Sequence, residues 1–478
     1  MRVSRAQGTL WLCVLAACAK ASAAPVAAQE ALWEPNLARI GDEAKERAAP
    51  MDPLPLGPQP VRPLAPPLAG AERPGEAEPL EVEAPLPPPA VEDVALPVPE
   101  EDAFAAPGIR IGTFMLRGSI DSFAGYDSNP LRTERGRGSA YGAMGAEATL
   151  TSDWSRHQLE ARLNGTYTNY IDLEEANAPV ANGEIRGRLD VRENIEIDGL
   201  LGIALDTLDP GDADTPQGLT DRPLFTEFRG LAGVTYRTDE WSFRTGGRIE
   251  HENYEDGTYL DGGQLDNSDR INTTYALDLR GAYFIGPKLE IFSEGVIDTR
   301  VHDREFDRNG LRRDSTGQSI ATGLRYTPSA LLDAEVSGGY RWRQYKDAEL
   351  PDLSGFTADV SLTWRATALT TVRLTAGTLF DDTTLVDASG SISRFVRGEV
   401  IHALRRNVEL TAAVGAETAE FEGIDRDDTV YTGELGAEWK FNRRFGVNAR
   451  LAHTKQISNV DGGDFEATLY QLGIRFRY

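Results

Sequence analysis

The sequence predicts an all-β fold: a transmembrane, antiparallel, up-and-down β-barrel of about 18 strands (16–18), preceded by a disordered Pro-rich segment. Three observations carry this expectation. From Ile109 to Tyr478 apolar and polar residues alternate with a period of two, segment after segment. That is the periodicity of a strand with two unlike faces, not of a helix. The connections between segments are alternately tight and long, as in a barrel with one short-turn rim and one long-loop rim. The last segment alternates Tyr470, Leu472, Ile474, Phe476 and Tyr478 with polar residues or Gly and ends the chain on an aromatic.

Composition narrows the field further. The 478 residues hold 49 Lys and Arg against 75 Asp and Glu, a formal charge of −26. Such a chain repels polyphosphate, so nucleic acid is not expected as a partner. After residue 23 no apolar run approaches the roughly 18 residues that a spanning helix needs. A helical membrane bundle is thereby excluded.

Residues 1–23 read as an export signal. Arg2 and Arg5 form a basic start, Thr9 to Ala17 a short apolar core, and Ala21-Ser22-Ala23 a small-residue cleavage site. A competing reading takes Leu15-Ala16-Ala17-Cys18 as a lipobox, with Cys18 lipidated. Both cysteines, Cys13 and Cys18, lie here, so the cleaved chain has no disulfide and no Cys-bound metal. Residues 24–108 hold 19 of the 27 prolines and 16 acidic against 5 basic residues. They cannot bury enough apolar surface to offset their ordering entropy, and an extended, acidic, periplasmic segment is expected. A plain spacer is the simpler role; contact with cell wall or a periplasmic protein is the sharper one.

Residues 109–478 form the barrel. The expected strands are 113–126, 139–152, 157–170, 182–193, 195–206, 225–237, 241–254, 270–284, 289–302, 315–326, 331–345, 353–366, 371–380, 391–403, 408–420, 429–441, 445–456 and 467–478. In 183–191, Gly183, Ile185, Gly187, Leu189 and Val191 alternate with Glu184, Arg186, Arg188 and Asp190. None of the eight prolines after residue 108 falls inside an expected strand, as a hydrogen-bonded ladder requires. A soluble sandwich would bury large side chains on its apolar face. Here that face mixes Leu, Val, Ala and Gly, and the opposite face is densely ionised. Lipid outside and water inside explain both. Aromatics gather at the ends of the apolar face, with Tyr236, Trp241, Tyr283, Tyr326, Trp364, Trp439 and Tyr478 near one rim. Tyr126, Tyr275, Tyr340, Trp342 and Tyr431 lie near the other, and two interfacial belts follow.

The ionised face supplies the candidate site. Arg162, Arg186, Arg188, Arg244, Arg248, Arg341 and Arg343, with Glu160, Glu184, Asp190, Glu250 and Glu335, are expected to face the lumen. Rings of one sign there would set selectivity. Tyr470, Leu472, Ile474, Phe476 and Tyr478 form the expected assembly signal, since the last strand must pair with the first to abolish an open edge. His157, His251, His302, His402 and His453 are scattered, and neither a Gly-x-Ser-x-Gly elbow nor a phosphate-cradling loop is present. No catalytic residue, cofactor or metal ligand is therefore assigned. The acidic stretches 206–221 and 420–428 match no defined calcium loop and read as solvated surface charge.

Gly125-Tyr126-Asp127-Ser128-Asn129-Pro130, the terminal strand and the Pro-rich leader together resemble the beta-barrel porins of Gram-negative, alphaproteobacterial outer membranes. The resemblance implies location and fold more than substrate. It implies outer-membrane lipid, lipopolysaccharide and the outer-membrane assembly machinery as partners. The leading functional expectation is a water-filled channel for small hydrophilic solutes. The alternatives are a component of surface-polysaccharide export or assembly, and a structural or adhesive surface barrel.

Overall fold

A computed structural model describes residues 104–478. The export signal at 1–23, and all of 24–108 except its last five residues, lie outside the described residues. Eighteen long strands follow in order: β1 (Phe114–Asp127), β2 (Ser139–Ser152), β3 (Gln158–Tyr170), β4 (Ala178–Arg192), β5 (Ile195–Thr207) and β6 (Leu224–Arg237). Next come β7 (Trp241–Tyr254), β8 (Asn272–Ile285), β9 (Leu289–His302), β10 (Ser315–Ser329), β11 (Leu332–Tyr345) and β12 (Leu353–Thr367). The set ends with β13 (Thr370–Asp382), β14 (Gly390–Arg405), β15 (Val408–Glu422), β16 (Asp427–Lys440), β17 (Phe445–Ser458) and β18 (Phe465–Arg477).

Each strand pairs antiparallel with the next, and β18 returns to β1 in register from Ser119↔Arg477 to Asp127↔Leu469. The sheet is a closed cylinder of 18 strands. A short extra segment, Ile109–Ile111, folds back on the foot of β1 through Ile109↔Leu116. Strands about 4.8 Å apart, tilted about 40°, give such a cylinder a backbone diameter of roughly 35 Å. Odd-numbered strands lead into the longer loops, such as 208–223 and 255–271, and even-numbered strands into turns as tight as 193–194 and 368–369. The expected asymmetry of rims is present.

The outer surface follows the period-two pattern. Ile185, Leu189 and Val191 on β4, Leu201 and Ile203 on β5, and Leu472 and Ile474 on β18 are all exposed although apolar. Exposed Tyr236, Trp241, Tyr283, Trp364 and Trp439 edge this band at the short-turn rim, and Tyr126, Tyr275 and Tyr431 at the long-loop rim. Water disfavours a continuous apolar band of this kind, whereas lipid suits it.

Three departures from the expected ladder have physical causes. Pro179 lies inside β4, which starts at Ala178 rather than 182. There β4 is laddered only to β3, because the β4–β5 ladder starts at Ala181↔Leu205. An edge tolerates a residue with no N–H. Pro328 lies inside β10, at a register shift between Tyr326 and Ser329, past the end of the β9–β10 ladder. The third departure is larger. The β12–β13 ladder stops at Val360↔Ala376, although β12 continues to Leu353 and β13 to Asp382. Above that point Ala358 donates its N–H to Thr378 Oγ1 (3.3 Å), while β13 remains fully paired to β14 as far as Asp382↔Gly390.

Candidate functional site

The ionised face carries a network of ion pairs that reaches well beyond adjacent strands. Arg244 on β7 lies 2.7 Å from Asp198 on β5. Arg280 on β8 reaches Glu290 (3.2 Å) and Glu294 (3.4 Å) on β9 and Glu335 (3.1 Å) on β11. Its guanidinium also lies 3.6 Å from the ring centroid of buried Phe292. Arg300 on β9 lies 3.5 Å from Asp382 on β13, four strands away. A contact of that kind passes through the barrel interior.

The twelve charged residues singled out from the sequence are placed as follows. Arg162 pairs with Glu160 and Arg186 with Glu184, each at two-residue spacing along one strand face. Arg188 bridges Asp190 (3.2 Å) and Glu196 (3.9 Å). Arg248 bridges Glu250 (3.1 Å) and Asp278 (3.8 Å). Arg341 and Arg343 both converge on Asp298, and Arg343 Nη1 also donates to Ser315 Oγ at 2.7 Å. Glu335 takes Arg280 and Arg325. Arg343 and Asp298 are almost fully buried, so each keeps its charge at acceptable cost only because the other is in place.

Glycine makes room for two of these bridges. Gly317 on β10 stands opposite Asp298, between that carboxylate on β9 and the two arginines on β11. A Cβ at 317 would collide with the Asp298 carboxylate. Gly233 on β6 stands in the same way between Asp198 on β5 and Arg244 on β7, and a Cβ there would fall 2.7 Å from Arg244 Nη2. An acid, a glycine and an arginine on three successive or alternate strands thus form a flat bridge against the wall.

At the long-loop rim the connections fold inward over apolar side chains. Phe123, Tyr141, Tyr170, Leu173, Ala176 and Leu469 form one buried cluster, with Leu131 packed on it. Leu208, Phe225 and Tyr254 form a second, and Leu353, Phe380 and Ile392, with Tyr345, a third. Loop 303–314 is tied to its neighbours by Arg308 to Asp269 (2.7 Å) and by buried Arg313, which holds Asp307 (2.6 Å) and the carbonyls of Thr383, Leu385 and Ala388. His302 Nε2 lies 3.1 Å from Asp382 Oδ2 beside it.

The acidic stretch 206–221 is not simply solvated surface charge. Loop 208–223 extends over the mouth from the β5–β6 side. Gly211 accepts a hydrogen bond from Gln456 on β17 (3.3 Å). Asp214 Oδ1 accepts three more from the β13–β14 loop, from Thr383 Oγ1 (2.9 Å), the Thr384 N–H (2.9 Å) and Thr384 Oγ1 (3.1 Å). Around the cylinder, six strands lie between β6 and β13 one way and eight between β14 and β5 the other, so these partners come from opposite walls. Burial and the neighbouring Asp214 raise the Asp212 carboxyl above its ordinary pKa, against the opposing pull of Arg270. Sequence reasoning missed Asp214, Thr383, Thr384 and Arg313. The only local cue is a pair of Asx turns, Asp209 to the Gly211 N–H and Asp212 to the Asp214 N–H, which give the loop its shape but not its partner.

The residues read as an assembly signal lie along the seam that closes the barrel. Tyr470, Leu472 and Ile474 are exposed on the apolar face. Phe476 packs against Phe445 with ring centroids 5.0 Å apart, and the Tyr478 N–H faces the Gly118 carbonyl of β1 at 3.5 Å.

The eighteen strands thus close into a cylinder whose ion-paired face lies opposite the exposed apolar band. Residues 102–478 match the family described as Putative beta-barrel porin 2. The chain belongs to this family. The chain is also similar to solved structures at low sequence identity. OpdK from Pseudomonas aeruginosa is 11% identical, with a TM-score of 0.38, over 76% of this chain and 99% of that one. A BenF-like porin from Pseudomonas fluorescens Pf-5 is 10% identical, with a TM-score of 0.39, over 77% and 100%. The copper transporter OprC is 10% identical, with a TM-score of 0.41, over 78% and 81%. Comparison with curated protein sequences gave no match. The porin family and the apolar outer band agree on an outer-membrane β-barrel.

Proposed function

We propose that this porin-family barrel is a passive channel that carries small hydrophilic solutes across the outer membrane. The observation that carries the reading is the ionised interior. It runs from Arg280 and Glu290 towards the short-turn rim to Arg300 and Asp382 near the mouth. Ion pairs along such a wall hold water and leave their outer atoms to exchange hydrogen bonds with a passing solute. In this reading the twelve charged residues named above line the path, and local excess of one sign sets selectivity. An 18-stranded cylinder is wide enough for an aqueous path beside its inward loops. The acidic segment 24–108 enters β1 at the short-turn rim, so in this reading it lies in the periplasm. Lipid, lipopolysaccharide and the assembly machinery are then the partners of the outer surface and the closing seam.

Planar-bilayer recording of the purified protein tests the proposal, with and without residues 24–108. Discrete conductance steps that persist without the segment are expected, together with swelling of liposomes in small neutral sugars. A folded, inserted barrel that passes neither ions nor sugars would leave the structural or adhesive reading in its place.

A further inference from the structure

We propose that Asp214 sets the size cut-off of the channel, by holding loop 208–223 as a strap across the mouth. The inference rests on the channel reading, and it begins with how far the chain can reach. Seven residues from β5 to Asp214 span at most about 25 Å when fully extended. The cylinder is roughly 35 Å across. The loop cannot reach the far wall, so the far wall has to come to it. That is what the broken ladder provides. The β12–β13 ladder ends at Val360↔Ala376. Above it β13 stays paired to β14, and β14 to β15 as far as Gly390↔Glu422. Asp382 at the top of β13 meets Arg300 and His302 of β9, so the sheet leans inward at this seam.

The hairpin tip is held in this inward position from several sides. Leu379 and Phe380 are adjacent in sequence and both buried, so this part of β13 is covered on both faces. Phe380 and Ile392 pack on Leu353 of β12. Arg313 holds three carbonyls of the tip, Asn309 donates to the Thr384 carbonyl (3.1 Å), and Asp382 meets Arg300 and His302 of β9. The tip of this inward-leaning part of the sheet is thus a firm post. The later half of loop 208–223 pairs with loop 255–271, through the Thr220 N–H to the Thr258 carbonyl (2.8 Å) and the Leu260 N–H to the Gly218 carbonyl (2.9 Å). Asp214 fastens the earlier half to the post with three hydrogen bonds on a single carboxylate oxygen. Nearer its root the strap is moored by Gln456 of β17 to the Gly211 carbonyl, and Gly211 sits against Phe465 of β18. A strap rooted between β5 and β6 and tied to the β13–β14 tip across the cylinder divides the mouth, and the openings beside it are narrower than the cylinder below.

The mooring is asymmetric. The post is tied by buried arginine contacts and an apolar cluster, whereas the strap is tied to it through one side chain. Removal of that side chain should release the strap without disturbing the wall. Asp214→Ala is therefore expected to raise single-channel conductance at least about twofold and to admit larger neutral sugars in liposome swelling. Asp214→Asn, which keeps an acceptor oxygen, should lie between. Heat-modifiable mobility establishes that each variant has a closed barrel. Should Asp214→Ala fail to fold, Thr383→Val combined with Thr384→Val removes two of the three donors from the post side and is expected to shift the cut-off in the same direction.

Wild-type and strap variants with equal conductance and equal sugar cut-off would overturn the strap and leave the channel reading standing. If no variant conducts, the channel reading fails and the strap is judged separately. Cys13 and Cys18 are replaced by Ser and a cysteine is placed at Glu294, below the mouth. A bulky impermeant maleimide added from the long-loop side should then react several times faster in the Asp214→Ala background. Equal labelling rates would overturn the strap as a barrier.

Discussion

The orientation of the wall makes a depth-dependent prediction on β4. Ile185 is the central residue of Ala178–Arg192, and its side chain is exposed on the apolar face. Leu189 lies on the same face, four residues nearer the short-turn rim, and pairs with Ile197, whose partner Val234 is two residues from the belt residue Tyr236. A strand tilted by about 40° climbs about 2.6 Å per residue, which puts Leu189 about 10 Å below Ile185. The apolar band of such barrels is about 25 Å tall, so Ile185 lies near the midplane and Leu189 near the edge. Arginine at the midplane costs about 2–4 kcal/mol and near the interface about 0–1 kcal/mol. Ile185→Arg should therefore lower the folding equilibrium constant by roughly 30- to 900-fold, at about 1.4 kcal/mol per tenfold, and Leu189→Arg by less than tenfold. Between them in phase, Arg188 points to the other face and meets Asp190 and Glu196; Arg188→Gln should shift stability by no more than about 1 kcal/mol. Denaturant titration of the barrel refolded into lipid vesicles reads all three. Equal costs at 185 and 189 would refute the depth assignment, and a larger cost at 188 than at 185 would refute the facing.

Three further predictions address the wall, the seam and the mouth. Asp298→Ala leaves buried Arg343 and its neighbour Arg341 without their shared carboxylate and should cost about 3–5 kcal/mol in the same titration. Gly317→Ala, one methyl against that carboxylate, should cost about 1–3 kcal/mol, and a neutral result would remove the glycine's proposed part. Deletion of Tyr478 together with Phe476→Ala strips the Phe445 contact and the last rung beside β1. It should lower the amount of heat-modifiable protein in the outer membrane, and wild-type levels would count against the closure argument. The raised carboxyl of Asp212 faces Asp214, Asp209 and Arg270. Because its pKa is higher in the strapped loop than in a free one, its contribution to the strap is complete below about pH 4, the ordinary carboxylate value, and is lost as pH rises through the raised value. Conductance should therefore rise from acid towards neutral pH, and Asp212→Asn should flatten the profile; a channel that closes as pH rises would refute the sign.

Much of the barrel was legible because lipid imposes a rule at every second position. The expected spans 139–152, 241–254 and 289–302 coincide with β2, β7 and β9. In such strands each outward side chain meets hydrocarbon and each inward one meets water or an opposite charge, so the pattern is written locally. The misreadings arise where a neighbour is missing. Pro179 was a reasonable stop for a strand laddered on both sides, but β4 has only β3 beside it at that height. The β12–β13 break left one mark, the adjacent apolar pair Leu379 and Phe380, where β13 loses its alternation, but that pair does not say which neighbour is missing. The mouth was the least legible. Asp214 and Thr384 are 170 residues apart, and nothing local in either loop names the other.

The two kinds of residue also divide the work of the molecule. A wall whose charges pair two strands apart, with glycine making room beneath the bridge, is stiff and leaves little to be adjusted. A change there alters how well the cylinder closes long before it alters what passes through it. The mouth is built differently. Its strap meets the post through a single carboxylate, whereas the post is held by Arg313, Asn309 and an apolar cluster. Substitutions at Asp298 or Gly317 should therefore appear in denaturant titrations, with conductance per folded channel little changed. Substitutions at Asp214 should appear in conductance with the denaturation midpoint little changed. If the two sets of effects were interchanged, the wall would be the selective element and the strap only a brace between loops.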